Sequence, residues 1–164
     1  MSGVTKGKLN IITEYCPRGD LGKYIRTQIK LLSEDVIMKI FVQVCLGLHY
    51  MHEERILHRD IKAMNIFMKK DYEIRIGDFG VAKMLKPEKC FASTIIGTPY
   101  YLSPELIEEK PYNEKNDVWA LGCLLYEMCK QTQPFKSNKT NNLKKIIKKG
   151  RNYIYFEMRD LSCL

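Results

Sequence analysis

The chain of 164 residues has no long run of apolar residues. No stretch approaches the ~18 apolar residues that a membrane-spanning helix needs. Its first ten residues, MSGVTKGKLN, lack the apolar segment of a signal peptide. A hydrophobic content of 45% and a charged content of 28% are ordinary for a soluble globular domain. We therefore expect an intracellular, cytoplasmic protein without a membrane span.

Paired cysteines are also missing. The chain has six cysteines, and none forms a C-x-x-C pair, so we expect no zinc site. Cys45, Cys123 and Cys129 lie in apolar helical patterns, which predict buried thiols. Because no secretory signal is present, the cysteines are expected to be reduced.

Acidic residues are too few to balance the basic ones, and the net charge is +8. Much of the excess lies in LKKIIKKGR, residues 143–151. Such a cluster can bind an anionic surface, or it can be the solvated face of a helix whose apolar side is Leu143, Ile146 and Ile147. No aromatic residues lie between the lysines, as a single-strand binder requires. We favour the solvated face and expect no specific nucleic-acid partner.

Hydrophobic periodicity predicts a mainly α-helical domain with a few short strands. The clearest element is a long helix from Ser33 to about Glu54, with apolar residues at three- and four-residue steps. Three other helices are expected: from an Asp20 N-cap to about Ile29, from Glu114 to Lys130 after Asn113, and from about Thr140 to Lys149. The second of these is apolar on most sides and should be central.

Short strands complete the prediction. Lys8 to Tyr15 reads as one strand, and residues 57–65 read as a loop. Two further strands, Asn65 to Met68 and Glu73 to Ile76, surround a turn at Asp71 and predict a hairpin. Irregular chain is expected from there to about Pro104.

The chemistry is concentrated at the two ends of this hairpin. Residues 58–65 read HRDIKAMN, and DFG follows at residues 78–80. Transfer of a phosphoryl group needs a carboxylate that orients the attacking hydroxyl, which Asp60 can supply, and metal ions that neutralise the phosphates. Asn65 and Asp78 offer oxygen ligands to a hard cation such as Mg²⁺. Lys62 can reach the transferred phosphate.

These motifs and three further segments carry a resemblance to a known family. EYC at 14–16, GTPYYLSPE at 97–105 and KPYNEKNDVWALGCLLYEMC at 110–129 stand in the expected order around them. The chain resembles eukaryotic protein kinases, and among them the NIMA-related serine/threonine kinases, over about residues 8–150. The resemblance implies a protein-kinase-like C-terminal lobe, ATP and Mg²⁺ as cofactors, and protein substrates with serine or threonine acceptors.

The resemblance also implies a role for individual residues. Asp60 would be the catalytic base, Lys62 would steady the γ-phosphate, and Asn65 and Asp78 would hold Mg²⁺. Thr98 would hydrogen-bond near Asp60. Residues assigned to the nucleotide are Thr13 at the back of the adenine pocket, Glu14 and Cys16 through their backbone, Asp20 at the ribose and Phe67 as the floor. Structural roles fall to His58 and Phe79, which would stack in a hydrophobic spine, to Asp117, which would brace the catalytic loop, and to Glu105.

Control by phosphorylation is expected around Arg59. A buried arginine needs an anion, and a phosphate on the activation segment would provide one. Ser93 and Thr94 lie in that segment, and Thr94 is the favoured site by similarity, with an activating kinase as the implied partner. The alternative is an unmodified surface threonine.

Two features of the kinase pattern are not found in this sequence. No glycine-rich loop and no V-A-I-K lysine precede His58, and residues 151–164 do not resemble the family. We therefore predict a partial kinase domain over residues 1–150 followed by a divergent tail at 151–164.

Two interpretations of function follow. In the first, this is a truncated form of a serine/threonine kinase whose full-length product is the enzyme. In the second, the short chain is a catalytically inactive fragment that binds substrates or partners. The resemblance further implies a setting in the cell cycle, at the cytoskeleton, centrosome or cilium.

Overall fold

The regular structure consists mainly of helices. The structure, a computed structural model, describes residues 2–5, 7–85, 99–137 and 140–150. Its helices are α1 (Leu21–Thr27), α2 (Glu34–Glu53), α3 (Pro104–Ile107), α4 (Lys115–Lys130) and α5 (Thr140–Lys149). Its strands are β1 (Ser2–Thr5), β2 (Lys8–Ile11), β3 (Ile56–Leu57), β4 (Ile66–Met68), β5 (Ile74–Ile76) and β6 (Lys83–Met84). The prediction of a mainly helical domain with a few short strands is confirmed.

Helix α2 follows its sequence signals closely. Ser33 is its N-cap residue, and Glu34 and Asp35 in the first turn complement the positive end of the helix dipole. Its apolar stripe is buried, and Ile40 and Val44 are fully inaccessible to solvent. Helix α2 packs against α4, and the buried residues of both helices belong to one hydrophobic core.

The predicted hairpin is present and is held by a side chain of α2. Strands β4 and β5 are antiparallel, with Ile66 opposite Ile76. The turn between them includes Asp71 at φ 55° and Tyr72 at φ 62°. The amide nitrogen of Gln43 donates to the carbonyl of Tyr72 at 2.9 Å, and its oxygen accepts from the amide of Ile74 at 3.2 Å. Gln43 therefore supplies the hydrogen bonds of a neighbouring strand and fixes the hairpin on the helix.

Some element boundaries differ from the prediction. The strand expected over Lys8 to Tyr15 ends at Ile11, and it pairs with β1, which the sequence pattern did not indicate. Helix α1 ends at Thr27 rather than near Ile29. Residues 57–65, expected to be a loop, include the end of β3 and a single 3-10 turn. Apart from α1, which has seven residues, these elements are two to four residues long, so hydrophobic periodicity has few residues on which to act.

Several predicted surfaces also differ. Cys123 is buried, but Cys45 and Cys129 are only partly buried, because they lie at the margin of their apolar stripes. All four described cysteines are free thiols. On α5, Leu143 and Ile147 are buried while Ile146 is 40% exposed, so the apolar side of this helix is narrower than predicted.

Within the described ranges, no helix combines the length and apolar character needed to cross a bilayer. The predicted tail at 151–164 lies outside the described residues, as do Ser93, Thr94 and Thr98.

Candidate active site

The loop that carries HRD rests on one buried carboxylate from α4. Asp117, 1% exposed, accepts hydrogen bonds from the backbone amides of His58 at 2.9 Å and Arg59 at 2.8 Å. Its Oδ2 atom also lies 3.0 Å from Nε2 of His52, a residue of α2. Arg59 has φ 69°, in the left-handed region that non-glycine residues rarely adopt. The carboxylate therefore holds the loop in a conformation that the chain would not adopt by itself.

The side chains of Lys62 and Asn65 both contact the carboxylate of Asp60. Nζ of Lys62 lies 2.6 Å from Oδ2 of Asp60, and both side chains are less than a fifth exposed. The amide nitrogen of Asn65 donates to the carbonyl of Asp60 at 2.8 Å and to Oδ2 at 3.1 Å. The orientation of the Asp60 carboxylate is therefore fixed, and it lies beside a positive charge.

Asp78 reaches the same region through the hairpin. The amide of Gly77 donates to the carbonyl of Asn65 at 2.9 Å, which closes the base of the hairpin. Asp78 follows with φ 62°, and its exposed carboxylate accepts a long bond, 3.4 Å, from the amide of Gly80. The hairpin therefore brings Asn65 and Asp78 to its base, in agreement with their spacing in the sequence.

His58 links the loop to the DFG segment. Its ring is fully buried, and Nε2 donates to the carbonyl of Gly77 at 3.1 Å while Nδ1 accepts from the amide of Asp60 at 3.3 Å. These two bonds fit the neutral tautomer with its proton on Nε2. The ring centroids of His58 and Phe79 are 5.4 Å apart, although Phe79 is 53% exposed. The predicted pair is thus in contact, but the rings are tilted by 54° and are not stacked as expected.

The donor set near Asp60 fits a magnesium ion that also binds phosphate. Both bonds of the Asn65 side chain are donated by its nitrogen, which leaves its oxygen for a cation. Asp78 adds an exposed carboxylate. The described residues contain no group of three or more His, Cys, Asp or Glu side chains arranged as a metal site. Mg²⁺ commonly takes one or two carboxylates and completes its shell with substrate phosphates and water, so this sparse set is suitable.

The residues expected around adenine lie before α1 and on β4. Asp20 accepts from the amide of Lys23 at 2.8 Å as the N-cap of α1, and its backbone pairs with that of Phe67. The carbonyl of Cys16 already accepts from the amide of Gly19, and Thr13 is exposed. A Cβ atom at Gly77 would lie 2.7 Å from the ring of Phe67, so the ring packs directly on that backbone. The roles of these residues toward a nucleotide stay predictions.

Arg59 is hydrogen-bonded to neutral groups among the described residues. Its Nε donates to the carbonyl of Val81 at 2.6 Å, and its Nη1 lies 3.4 Å from the hydroxyl of Tyr112. Ser93 and Thr94, predicted to carry a phosphate, and Thr98, predicted to hydrogen-bond near Asp60, lie outside the described residues. Glu105 lies in α3 and is partly buried.

The sequence interpretation missed one polar pair beneath the loop. The hydroxyl of Tyr101 donates to the carboxylate of Glu127 and accepts from the amide of Ala63 at 3.4 Å. Burial raises the pKa of Glu127, while the bond from Tyr101 acts in the opposite direction. A signal existed in the sequence: Glu127 is an acidic residue within the apolar run LLYEMC, where a charge needs a partner.

His52 is the second missed residue. It is 16% exposed and lies one position after Met51, the last residue of the buried stripe of α2. Its position in sequence gives no indication that it contacts Asp117, 65 residues further on.

A cavity of about 380 Å³ borders the site on the side of Phe79. Apolar side chains from α2 and β5 form most of its wall, and Phe79 is the one predicted site residue that lines it. The cavity is therefore adjacent to the cluster around Asp60 and does not contain it.

Comparison with known proteins places this geometry in context. Residues 2–161 match the family model described as "Protein kinase domain". The chain is 48% identical over 139 residues to mouse serine/threonine-protein kinase Nek3, an alignment that covers 84% of this chain and 27% of the relative. It is 51% identical to mouse serine/threonine-protein kinase Nek1 over 138 residues, covering 84% of this chain and 12% of that protein. Human serine/threonine-protein kinase Nek5 is 52% identical over 139 residues, with 84% and 20% covered. The chain thus spans about a quarter or less of the length of these relatives.

Proposed function

Because this chain belongs to the protein kinase family, with Nek serine/threonine kinases among its relatives, we propose that it carries the catalytic carboxylate and metal ligands of an ATP- and Mg²⁺-dependent serine/threonine protein kinase. The observation that carries the proposal is the convergence of Lys62 and Asn65 on the carboxylate of Asp60. An ion pair between Asp60 and Lys62 with a purely structural role would not need Asn65 as a second donor. It would also not need the Asp78 carboxylate at the base of the hairpin.

The proposed reaction is transfer of the γ-phosphoryl group of ATP to a serine or threonine hydroxyl. The hydroxyl oxygen forms a bond to the γ-phosphorus, the bond to the β–γ bridging oxygen breaks, and ADP leaves. Asp60 orients the hydroxyl and accepts its proton. Lys62, 2.6 Å from Asp60, provides a positive charge that can move to the transferred phosphate. Mg²⁺, when bound by Asn65 and Asp78, supplies neutralisation of the phosphate charges.

The remaining assignments belong to the same proposal. The described residues correspond to the C-terminal lobe, within a kinase domain over residues 1–150. Thr13, Glu14, Cys16, Asp20 and Phe67 contact the nucleotide. Arg59 exchanges its bonds to Val81 and Tyr112 for a phosphate on the segment that contains Ser93 and Thr94.

Binding of Mg²⁺-ATP by the 164-residue chain tests the proposal. Isothermal titration calorimetry should show binding that requires Mg²⁺ and is lost in Asp78→Ala. Asp35→Ala is the matched control, because Asp35 is an exposed aspartate in the first turn of α2. A folded wild-type chain that binds no Mg²⁺-ATP would contradict the proposal and would favour a partner-binding module.

A second measurement separates binding from chemistry. Asp60→Asn should still bind Mg²⁺-ATP, since its side chain keeps its shape and Asn65 and Asp78 are unchanged. Transfer of labelled γ-phosphate to a protein rich in serine and threonine should be lost, if the wild-type chain catalyses it. Equal transfer by wild type and Asp60→Asn would show that another group performs the reaction.

A further inference from the structure

Four charged side chains connect the segment before α1 to the β4–β5 hairpin. The two carboxylate oxygens of Glu14 lie 2.7 Å from Nζ of Lys69 and 2.7 Å from Nε of Arg75. The carboxylate of Glu73 contacts the same two cations, at 3.3 and 2.7 Å. Anions and cations therefore alternate around a closed ring, which we call the Glu14 ring.

The ring is fully charged at neutral pH. Hydrogen bonds from Lys69 and then Arg75 hold the pKa of Glu14 below its ordinary value of 4.5. Arg75 and then Lys69 do the same for the pKa of Glu73. Because both carboxyl pKa values are lowered, the ring is complete above pH 4.5 and is lost as the pH falls through the lowered values.

The ring is attached to the β4–β5 hairpin, which is itself hydrogen-bonded to the chain before α1. Lys69 directly follows β4, and Arg75 stands opposite Phe67 in the register of the hairpin. Backbone hydrogen bonds from Arg18 to Met68 at 3.2 Å and from Met68 to Gly19 at 2.8 Å hold the chain just before α1 to the same strand. Those two bonds begin at residue 18, and before it the carbonyl of Cys16 accepts from the amide of Gly19 at 3.2 Å.

Burial contributes little to holding residues 12–16. The side chains of Ile11, Ile12 and Tyr15 are 69, 68 and 82% exposed. Glu14 lies in the middle of this stretch, and its carboxylate provides the contacts to the hairpin at 2.7 Å. An exposed segment that must present backbone groups at defined positions needs such an anchor, since free backbone loses entropy when it is ordered by a ligand.

We propose that Glu14 is a positioning residue. Its ion pairs with Lys69 and Arg75 hold the backbone of residues 13–16 against the hairpin that carries Phe67, and so order this backbone for adenine before the nucleotide binds. The inference rests on the proposed function, because it assumes that this segment meets the nucleotide. The inference gives the side chain of Glu14 a role, whereas the resemblance to kinases implies a role only for its backbone.

The test compares Glu14→Gln with the wild-type chain by two measurements. Hydrogen–deuterium exchange without nucleotide should show faster exchange at the amides of residues 12–16, with unchanged exchange in α2. Calorimetry at low salt should show Mg²⁺-ATP binding weakened about three- to tenfold, the effect expected when two exposed ion pairs are lost. Glu108→Gln is the matched control, because Glu108 forms a 2.6 Å ion pair with Lys110 after α3, and both readouts should stay at wild-type values.

Ionic strength adds an internal check. At about 0.5 M salt, screening should weaken the ring and bring wild type close to Glu14→Gln in both readouts. Exchange and affinity that are equal in the two proteins at low salt would overturn the inference. A change in only one of them would also overturn it, because positioning requires the two to change together. Failure of the wild-type chain to bind Mg²⁺-ATP would instead refute the proposed function, and that outcome is visible before any variant is compared.

Discussion

Removal of the Asp117 carboxylate should be among the most damaging changes in this domain. Asp117 is 1% exposed and accepts the amides of His58 and Arg59, and His52 contacts it as well. In Asp117→Ala the two amides lose their acceptor inside the protein. Each unsatisfied buried donor costs about 1–3 kcal/mol, so the free energy of unfolding should fall by about 2–6 kcal/mol. The whole stability of a domain is about 5–15 kcal/mol, so this is a large fraction.

Urea denaturation followed by circular dichroism measures this loss. Asp117→Asn keeps one acceptor oxygen, so it should lose about half as much, and it remains informative if the alanine variant does not fold. Asp35→Ala, which removes an exposed aspartate from α2, should change stability by only about 0.3–1 kcal/mol. A loss below about 1 kcal/mol in Asp117→Ala would refute the reasoning, because it would mean that water or another group satisfies the loop amides.

Four further predictions concern other parts of the domain. Burial raises the pKa of Glu127, so the folded state binds the proton more tightly than the unfolded chain. The free energy of unfolding should therefore fall as the pH rises from 4.5 through the raised pKa. The urea midpoints of Glu127→Gln should lack this dependence on pH. A Cβ atom at Gly122 in α4 meets no atom within 4 Å, so Gly122→Ala should raise the free energy of unfolding by about 0.5–1 kcal/mol. At Gly47 in α2 a Cβ atom would lie 2.7 Å from Cδ1 of Ile76. In urea denaturation, Gly47→Ala should therefore raise the free energy of unfolding less than Gly122→Ala does, or lower it. Equal gains in the two variants would contradict the packing argument. Burial raises the pKa of Cys123 to about 12, so its thiol should not react with iodoacetamide in the folded chain but should react in urea, as mass spectrometry can show.

Local signals account for the elements that were predicted well. Helix α2 has a serine at its N-cap position, acidic residues in its first turn and an apolar stripe, all within one continuous segment. The β4–β5 hairpin has its two strands close in sequence, around a turn at Asp71. Each of these patterns lies within about twenty residues, the range over which periodicity and capping operate.

Short elements were predicted poorly because they depend on distant partners. Strand β3 has two residues and exists because it pairs with β6, so Leu57 meets Lys83. Strand β1 pairs with β2, but its own sequence, SGVT, has no apolar alternation that would predict a strand. No local signal indicates such partners, and the hydrogen bonds that define these strands form only in the folded chain.

The candidate site divides in the same way. The sequence by itself determined which residues are proposed for the chemistry: the order HRD, Asn65 and DFG, with a hairpin between them, indicated the proposed catalytic carboxylate and metal ligands. The resemblance already implied that Asp117 braces the loop. Tertiary structure alone decided the pairs that surround it: His52 with Asp117, 65 residues apart, Glu14 with Arg75, 61 apart, and Tyr101 with Glu127, 26 apart. The physical reason is that a buried or clustered charge is stable only where an opposite charge or a donor reaches it, and packing of the helices and the hairpin determines which one does.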